Sequence, residues 1–202
     1  IRSCLVGSEM CIRDSKDAVS VAFKKAFERV EQLNQIASDY LPESEILRFA
    51  KTSVGERFAM SADLFAIFTT AESIATETDG AFDVTAGPLV RLWRLSRKNR
   101  ELPDEGQISR ARSRIGFHLL GMNPTDRTVV KMSEGMLFDL GGIAKGYAAD
   151  EALRILKDSG FPSSLVAASG DIVVGDSPPG NEGWTIKLQA YGDKSDGGRE
   201  IL

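Results

Sequence analysis

Residues 138–150 have the sequence FDLGGIAKGYAAD, in which an apolar run ends at Gly141-Gly142 and a helical pattern follows. Two glycines at a strand-to-helix turn allow backbone N–H groups and the positive end of the helix to approach a phosphate. Lys145 adds a positive charge in the first turn. The alternative is a purely structural turn that Asp139 caps. Because a carboxylate at an apolar strand end needs a donor or a ligand, Asp139 slightly favours a ligand site.

The glycine spacing argues against the common nucleotide motifs. Gly141, Gly142 and Gly146 fit neither G-x-x-x-x-G-K-[ST] nor G-x-G-x-x-G, and no serine or threonine follows Lys145. A serine hydrolase is also disfavoured, since no G-x-S-x-G elbow is present. The single histidine, His118, lies in an apolar stretch and is interpreted as a strand or edge residue instead of a catalytic base.

In the rest of the chain, the spacing of apolar residues and the positions of capping residues predict the other helices and strands. Amphipathic helices are predicted over 16–37 and from Ser61 to Thr78. Ser44, Pro88 and Asp104 each begin a short helix. The helix after Gly142 is expected to end at Ser159-Gly160. Strands are predicted at 117–120, 128–132, 136–140, 165–168, 172–174 and 184–188, with 128–132 and 136–140 forming a hairpin.

This order of elements predicts an α+β fold, a single mixed domain with helices packed on a largely antiparallel sheet. The chain has 202 residues, of which 42% are hydrophobic and 27% charged, as in an ordinary globular protein. A net charge of −4 argues against a nucleic-acid partner. The basic run 91–100 is interpreted as a solvated helix face. No stretch approaches the roughly 20 apolar residues that a membrane span needs.

The two ends of the sequence are unusual. Residues 1–15, IRSCLVGSEMCIRDS, have no periodicity and resemble a translated sequencing adapter, so we expect them to be non-native. Both cysteines fall there, and cysteine usage therefore gives no redox compartment. The C-terminal GGREIL stops as a strand pattern begins. We accordingly treat 16–202 as an incomplete domain whose compartment is unknown, because no export signal is visible.

A second candidate segment is Ala81-Phe82-Asp83-Val84-Thr85. Asp83 lies between apolar residues and is a candidate acceptor for a ligand's hydrogen bonds. The alternative is that Asp83 or Thr85 caps the helix near Pro88. Tyr40 is a candidate for stacking on a planar ring, with ordinary packing as its alternative.

Three segments together resemble one family. TDGAFDVTAGPLVRLW, FDLGGIAKGYAAD and LVAASGDIVV occur here in the order found in the ApbE family of FAD:protein FMN transferases. The similarity runs from about Asp17 to the end and includes SDYLPESEILRF. Two positions depart from the family pattern: Ala167 stands where asparagine is usual, and Ser169 where glycine is common.

The resemblance implies an enzyme that binds FAD with Mg²⁺, transfers FMN to a Ser or Thr of an acceptor flavoprotein and releases AMP. Family members are often exported and membrane-anchored. The implied FAD contacts are Tyr40, Ala81, Phe82, Asp83, Asp139 and Lys145. Gly142 would offer its carbonyl to Mg²⁺, although one carbonyl cannot build an octahedral site.

The family's His-Ile/Leu-Asp-Pro motif and its Asp/Thr metal ligands are expected beyond Leu202, so no catalytic residue is assigned within this chain. Two alternatives therefore stay open. One is a Mg²⁺-dependent FAD pyrophosphatase, in which water replaces the acceptor hydroxyl. The other is a non-catalytic FAD-binding protein.

Overall fold

The computed structural model describes residues 4–7, 16–188 and 199–201. The helices are α1 (Lys16–Ala37), α2 (Glu45–Lys51), α3 (Ala62–Glu77), α4 (Gly87–Asn99), α5 (Glu105–Arg112) and α6 (Ala144–Asp158). The strands are β1 (Cys4–Gly7), β2 (Phe58–Ala59), β3 (Leu120–Asn123), β4 (Thr128–Lys131), β5 (Leu165–Ala168), β6 (Asp171–Val174), β7 (Ile186–Leu188) and β8 (Arg199–Ile201).

These strands form small antiparallel sheets with the orders β1-β5-β6, β2-β4-β3 and β7-β8. Helices and antiparallel strands thus make up the structure, and the predicted α+β class is confirmed. No helix in the described residues has both the length and the apolar character needed to span a membrane. The chain divides into two compact units, Glu31–Tyr147 and Ile1–Val30 with Ala148–Leu202.

The unit Glu31–Tyr147 is built around an aromatic core. The ring centroid of Phe49 lies 4.9 Å from that of Phe138, in a stacked arrangement, and 6.0 Å from that of Phe68, in an edge-to-face contact. All three side chains are buried. Because Phe138 immediately precedes Asp139, this core fixes the start of the glycine segment.

Side-chain caps set where the helices of this unit begin. Ser44 Oγ accepts the N–H of Leu47, and Ser61 Oγ accepts that of Leu64. Asp104 and Gln107 form a reciprocal capping box. The predicted helix starts at Ser44, Ser61 and Asp104 are therefore confirmed.

Two strand predictions in this unit are wrong. Residues Phe117–Leu119, which include His118, form a 3₁₀ turn, and β3 begins only at Leu120. Residues 136–140 do not pair with β4, whose partners are β2 and β3. Alternating burial in 136–140 reflects insertion into the core, and Leu137 makes a single parallel bridge to Ala86. An apolar run next to a turn sequence indicates burial and leaves the pairing partner open.

In the other unit, small residues of α1 pack on α6 and β5. The cluster contains Ala22, Ala26, Val30, Ala149, Ala152, Leu153, Leu156, Val166 and Ala168. Beside it, Arg29 Nη2 lies 2.7 Å from Glu151 Oε2. Hydrogen bonds from Arg154, and then from Arg29, hold the pKa of Glu151 below its ordinary value of 4.5.

Both ends of the sequence contribute described strands to this unit. β1, from the segment expected to be non-native, pairs with β5, and β8 pairs with β7. Residues 1–3 and 8–15 lie outside the described part. The non-native origin of 1–15 and the domain bounds stay predictions.

Candidate functional site

The Asp139 carboxylate turns back on its own loop. Its Oδ1 accepts the N–H of Gly141 at 2.8 Å, and its backbone N–H donates to the carbonyl of Val84 at 2.8 Å. The side chain is only partly buried, with 23% of its surface exposed. Oδ1 thus orders the glycine turn, as expected if Asp139 caps a purely structural turn. Oδ2 is left to contact a different residue.

That second oxygen accepts a hydrogen bond from Arg94 of α4. Nη2 of Arg94 lies 3.3 Å from Asp139 Oδ2, and Nη1 donates to Oδ2 of Asp39. The guanidinium carbon is 5.1 Å from the centroid of the Tyr40 ring. The hydrogen bond to Asp39 raises the pKa of Arg94 above its usual range. We call Asp39, Tyr40, Arg94 and Asp139 the arginine cluster.

The arginine cluster corrects the sequence interpretation of the basic run 91–100. Within that run, Arg94 is not a purely solvated residue, because it contacts two carboxylates and a ring. It also brings together Tyr40 and Asp139, which the sequence proposed separately. Sequence reasoning missed both Arg94 and Asp39. The available signal was the position of Arg94, four residues after the end of AFDVTAGPLV, on an amphipathic helix.

Phe82 lies against the glycine turn. A Cβ atom at Gly142 would be 3.0 Å from Cε2 of Phe82, which is tighter than most real Cβ contacts. Gly142 is exposed, Phe82 is half-buried and Ala81 is exposed. Two predicted site residues, Phe82 and Gly142, are therefore neighbours, and the glycine allows this close approach.

Asp83 organises its own loop. Its Oδ1 accepts both the N–H and the hydroxyl of Thr85, each at 2.7 Å. The fully buried Thr85 hydroxyl also accepts the N–H of Gly116 at 2.7 Å. The N-cap of α4 is Ala86, which makes no side-chain capping bond. The alternative that Asp83 or Thr85 caps this helix is therefore wrong.

The start of α6 is anchored by a tyrosine that the sequence did not single out. The hydroxyl of Tyr147 donates to Oδ1 of Asp63, in the first turn of α3, at 2.8 Å. Lys145 lies two residues earlier on α6 and is half-buried. This hydrogen bond therefore holds the helix that follows the glycine turn.

A cavity of about 270 Å³ opens beside the arginine cluster. Its lining combines charged groups of Asp39, Arg91, Arg94 and Asp139 with apolar groups that include Phe138. Small-molecule sites commonly measure about 300–1,000 Å³, so this cavity has room for part of a dinucleotide-sized ligand. A lining of charged and apolar residues is suited to orienting such a ligand.

The described residues do not complete a metal centre. No group of three or more His, Cys, Asp or Glu side chains among them is placed to hold a metal ion. The Gly142 carbonyl therefore stays a predicted Mg²⁺ ligand. The FAD contacts also stay predictions; they are assigned to Tyr40, Ala81, Phe82, Asp83, Asp139 and Lys145.

Curated relatives cover most of the chain. The FAD:protein FMN transferase of Chlamydia muridarum is 30% identical over 171 residues, which span 83% of this chain and 54% of that protein. The protein of the same name from Escherichia coli K12 is 28% identical over 177 residues, or 84% of this chain and 49% of that protein. The chain thus spans about half the length of the curated relatives it matches.

Solved structures of similar proteins agree with this fold. The flavin transferase ApbE of Vibrio cholerae aligns with a TM-score of 0.74 and 27% identity, over 92% of this chain and 63% of that chain. The apo flavinyl transferase ApbE of Pseudomonas stutzeri aligns with a TM-score of 0.78 and 26% identity, over 92% and 64%. The model of the ApbE family matches residues 6–200. Because this match covers almost the whole chain, the protein belongs to the ApbE family.

Proposed function

We propose that the complete protein transfers FMN from FAD to a Ser or Thr hydroxyl of an acceptor flavoprotein, in a Mg²⁺-dependent reaction that releases AMP. The observation that carries the proposal is the arginine cluster beside the Gly141-Gly142 turn. It places an exposed aromatic ring, a charge-balanced carboxylate and an accessible backbone turn in one unit. The names of the matched relatives support the same activity.

The reaction replaces the phosphoanhydride bond of the FAD diphosphate with a phosphoester bond to the acceptor. The acceptor hydroxyl oxygen attacks the phosphorus of the FMN half of FAD. A phosphoester bond forms there, the bond from that phosphorus to the bridging oxygen breaks, and AMP leaves with the bridging oxygen. The hydroxyl proton passes to a base or to solvent. Catalysis of phosphoryl transfer rests mainly on positioning and on charge neutralisation.

The described residues fit part of FAD. Tyr40 is 76% exposed and offers a ring face for stacking on the flavin. Phe82, with Ala81 and Asp83 beside it in sequence, lies next to the exposed Gly142. Asp139 and Lys145, on either side of the turn, are our proposed nucleotide contacts. The exposed glycine turn allows the diphosphate to approach the backbone.

Mg²⁺ bound at the diphosphate would neutralise its charge. Gly142 is the one ligand that we propose for it, and an octahedral site needs several oxygen ligands. The described residues supply no acidic group of three for this purpose. We therefore assign no step of the reaction to the metal.

The test uses the full-length protein with FAD, Mg²⁺ and a candidate acceptor. We expect the acceptor to gain the mass of an FMN phosphoester, and a Ser/Thr→Ala acceptor to gain none. Asp139→Ala should reduce FAD binding and transfer more than His118→Ala. Bound FAD without any mass gain would contradict transfer. Release of AMP without an acceptor would instead identify a pyrophosphatase.

A further inference from the structure

One guanidinium joins two residues that we assign to the FAD site. Arg94 donates through Nη1 to Asp39 and through Nη2 to Asp139, and its Cζ lies 5.1 Å from the Tyr40 ring centroid. We infer that Arg94 is a positioning residue, which holds the Tyr40 ring and the Asp139 carboxylate in place before FAD binds. This inference rests on the proposed function.

The first role of Arg94 is to orient Tyr40. The ring is 76% exposed, and the backbone N–H of Tyr40 donates to Ser38 Oγ at 3.2 Å. A side chain that is this exposed changes rotamer freely unless another group holds it. The guanidinium covers one face of the ring through a cation–π contact and leaves the opposite face for a planar ligand. Fixing the ring in advance lowers the entropy that FAD binding must overcome.

The second role of Arg94 is to balance charge. The side chains of Asp39 and Asp139 are 20% and 23% exposed, and both residues line the same cavity. Without Arg94, two negative groups would meet an anionic diphosphate in a partly screened site, which weakens binding. With Arg94, the carboxylates are paired and the local charge is less negative.

The bridging geometry distinguishes arginine from lysine. Two separate nitrogens of one planar group contact the two carboxylates while the plane packs near the ring. Lysine has the same charge but one nitrogen and no planar fork. Arg94→Lys therefore separates the effect of charge from the effect of position.

Arg97 provides a matched control. It lies three residues further along α4, is exposed, and its side chain makes no hydrogen bond or ion pair with a described residue. Arg97→Ala removes the same charge and has the same effect on helix propensity as Arg94→Ala. A weaker FAD affinity in Arg94→Ala than in Arg97→Ala therefore points to the contacts that Arg94 makes and Arg97 lacks.

The first experiment measures FAD binding by titration of the full-length protein. We expect Arg94→Ala to raise Kd about tenfold, Arg94→Lys to raise it about threefold and Arg97→Ala to change it by less than about twofold; tenfold corresponds to about 1.4 kcal/mol. Melting midpoints should show that all variants fold. Equal effects of Arg94→Ala and Arg97→Ala would overturn the inference, and so would full affinity in Arg94→Lys.

A double-mutant cycle tests whether Arg94 acts through Tyr40. Arg94→Ala should weaken FAD binding less in a Tyr40→Ala protein than in the wild type, because the ring that Arg94 holds is already absent. A residue that only stabilised the fold would give the same loss in both backgrounds. Strict additivity would therefore refute positioning through the ring.

A ligand-free measurement separates this inference from the proposed function. The sequence has three tyrosines, Tyr40, Tyr147 and Tyr191, and ring ¹³C labelling makes the Tyr40 signals observable by NMR. Arg94→Ala should shift the Tyr40 signals, and Arg97→Ala should not. Unchanged Tyr40 signals would overturn the inference even if FAD binds normally. If the wild type bound no FAD, the proposed function would fail and the assignment to an FAD site with it.

Discussion

A methyl group at Gly87 tests the packing of α4 against the segment that carries Asp139. A Cβ atom there would lie 2.4 Å from the carbonyl carbon of Leu137 and 2.6 Å from the nitrogen of Phe138. Both are backbone atoms and cannot rotate away as a side chain would. Gly87→Ala should therefore push α4 away from residues 137–138 and break the Ala86–Leu137 bridge.

The magnitude follows from the depth of the overlap. Overpacking of a core typically costs about 1–3 kcal/mol, and contact with backbone places this variant at the upper end, about 3 kcal/mol. In a chain of this size each kcal/mol lowers the melting midpoint by about 2–4 °C. Gly87→Ala should therefore lower the midpoint by roughly 6–12 °C.

Gly146 on α6 is the matched control. A Cβ atom there would have no neighbour within 4 Å, and its φ is not in the left-handed region. Because alanine is favoured over glycine in a helix by about 0.5–1 kcal/mol, Gly146→Ala should leave the midpoint unchanged or raise it slightly.

Thermal unfolding followed by circular dichroism measures both variants against the wild type. Gly87→Ala should lower the melting midpoint, whereas Gly146→Ala should leave it unchanged or raise it. A midpoint for Gly87→Ala that equals or exceeds the wild-type value would refute the close approach of α4 to the Asp139 segment.

Three further changes test hydrogen bonds and charge. Thr85→Val should destabilise the fold by about 1–3 kcal/mol, because the N–H of Gly116 loses its buried acceptor; Thr85→Ser should restore most of this in denaturant unfolding. Tyr147→Phe should cost about 0.5–1.5 kcal/mol through loss of the bond to Asp63, read from the same curves. The arginine partners of Glu151 lower the pKa of its carboxyl group below 4.5. The ionised carboxylate therefore stabilises the fold fully above about pH 4.5, and this stabilisation is lost as the pH falls through the folded-state pKa. In that pH range the melting midpoint of Glu151→Gln should fall less steeply than that of the wild type.

Each of these expectations has a contradicting result. Equal stabilities of Thr85→Val and Thr85→Ser would show that the hydroxyl is unimportant. A Tyr147→Phe protein as stable as the wild type would mean that the α6 anchor is energetically neutral. A Glu151→Gln protein with the wild-type loss of stability in acid would assign that loss to other carboxylates.

Local signals in the sequence predicted the helices well. Ser44, Ser61 and Asp104 each accept an N–H three residues further along the chain, so the interaction is contained in a short segment. The long amphipathic helix α1 follows from its own periodicity in the same way. Contacts of this kind need no knowledge of distant residues.

The errors concern partners that are far apart. The apolar runs 128–132 and 136–140, separated by Ser-Glu-Gly, predicted a hairpin, whereas the actual neighbour of Leu137 is Ala86. The two-residue strand β2, Phe58–Ala59, is too short to give a pattern. Propensity and periodicity describe what a segment buries, and the choice of partner depends on the whole fold.

The site was predicted in pieces for the same reason. The family motifs drew attention to Tyr40, the 81–83 segment and 139–145. They did not show that Arg94 links two of these segments, because a run of basic residues on a helix has the composition of a solvated face. Only the structure places Asp39 and Asp139 on either side of one guanidinium.

The arginine cluster also links ligand binding to the folded state of the chain. Arg94 is 55 residues from Asp39 and 45 from Asp139, so both contacts close long loops of chain. The entropy cost of such closures opposes these contacts, so they depend on the rest of the Glu31–Tyr147 unit to hold the three residues together. A ligand held by this cluster would bind the native chain and ignore partly folded ones. Its free concentration relative to Kd would then shift the equilibrium between folded and unfolded protein by mass action.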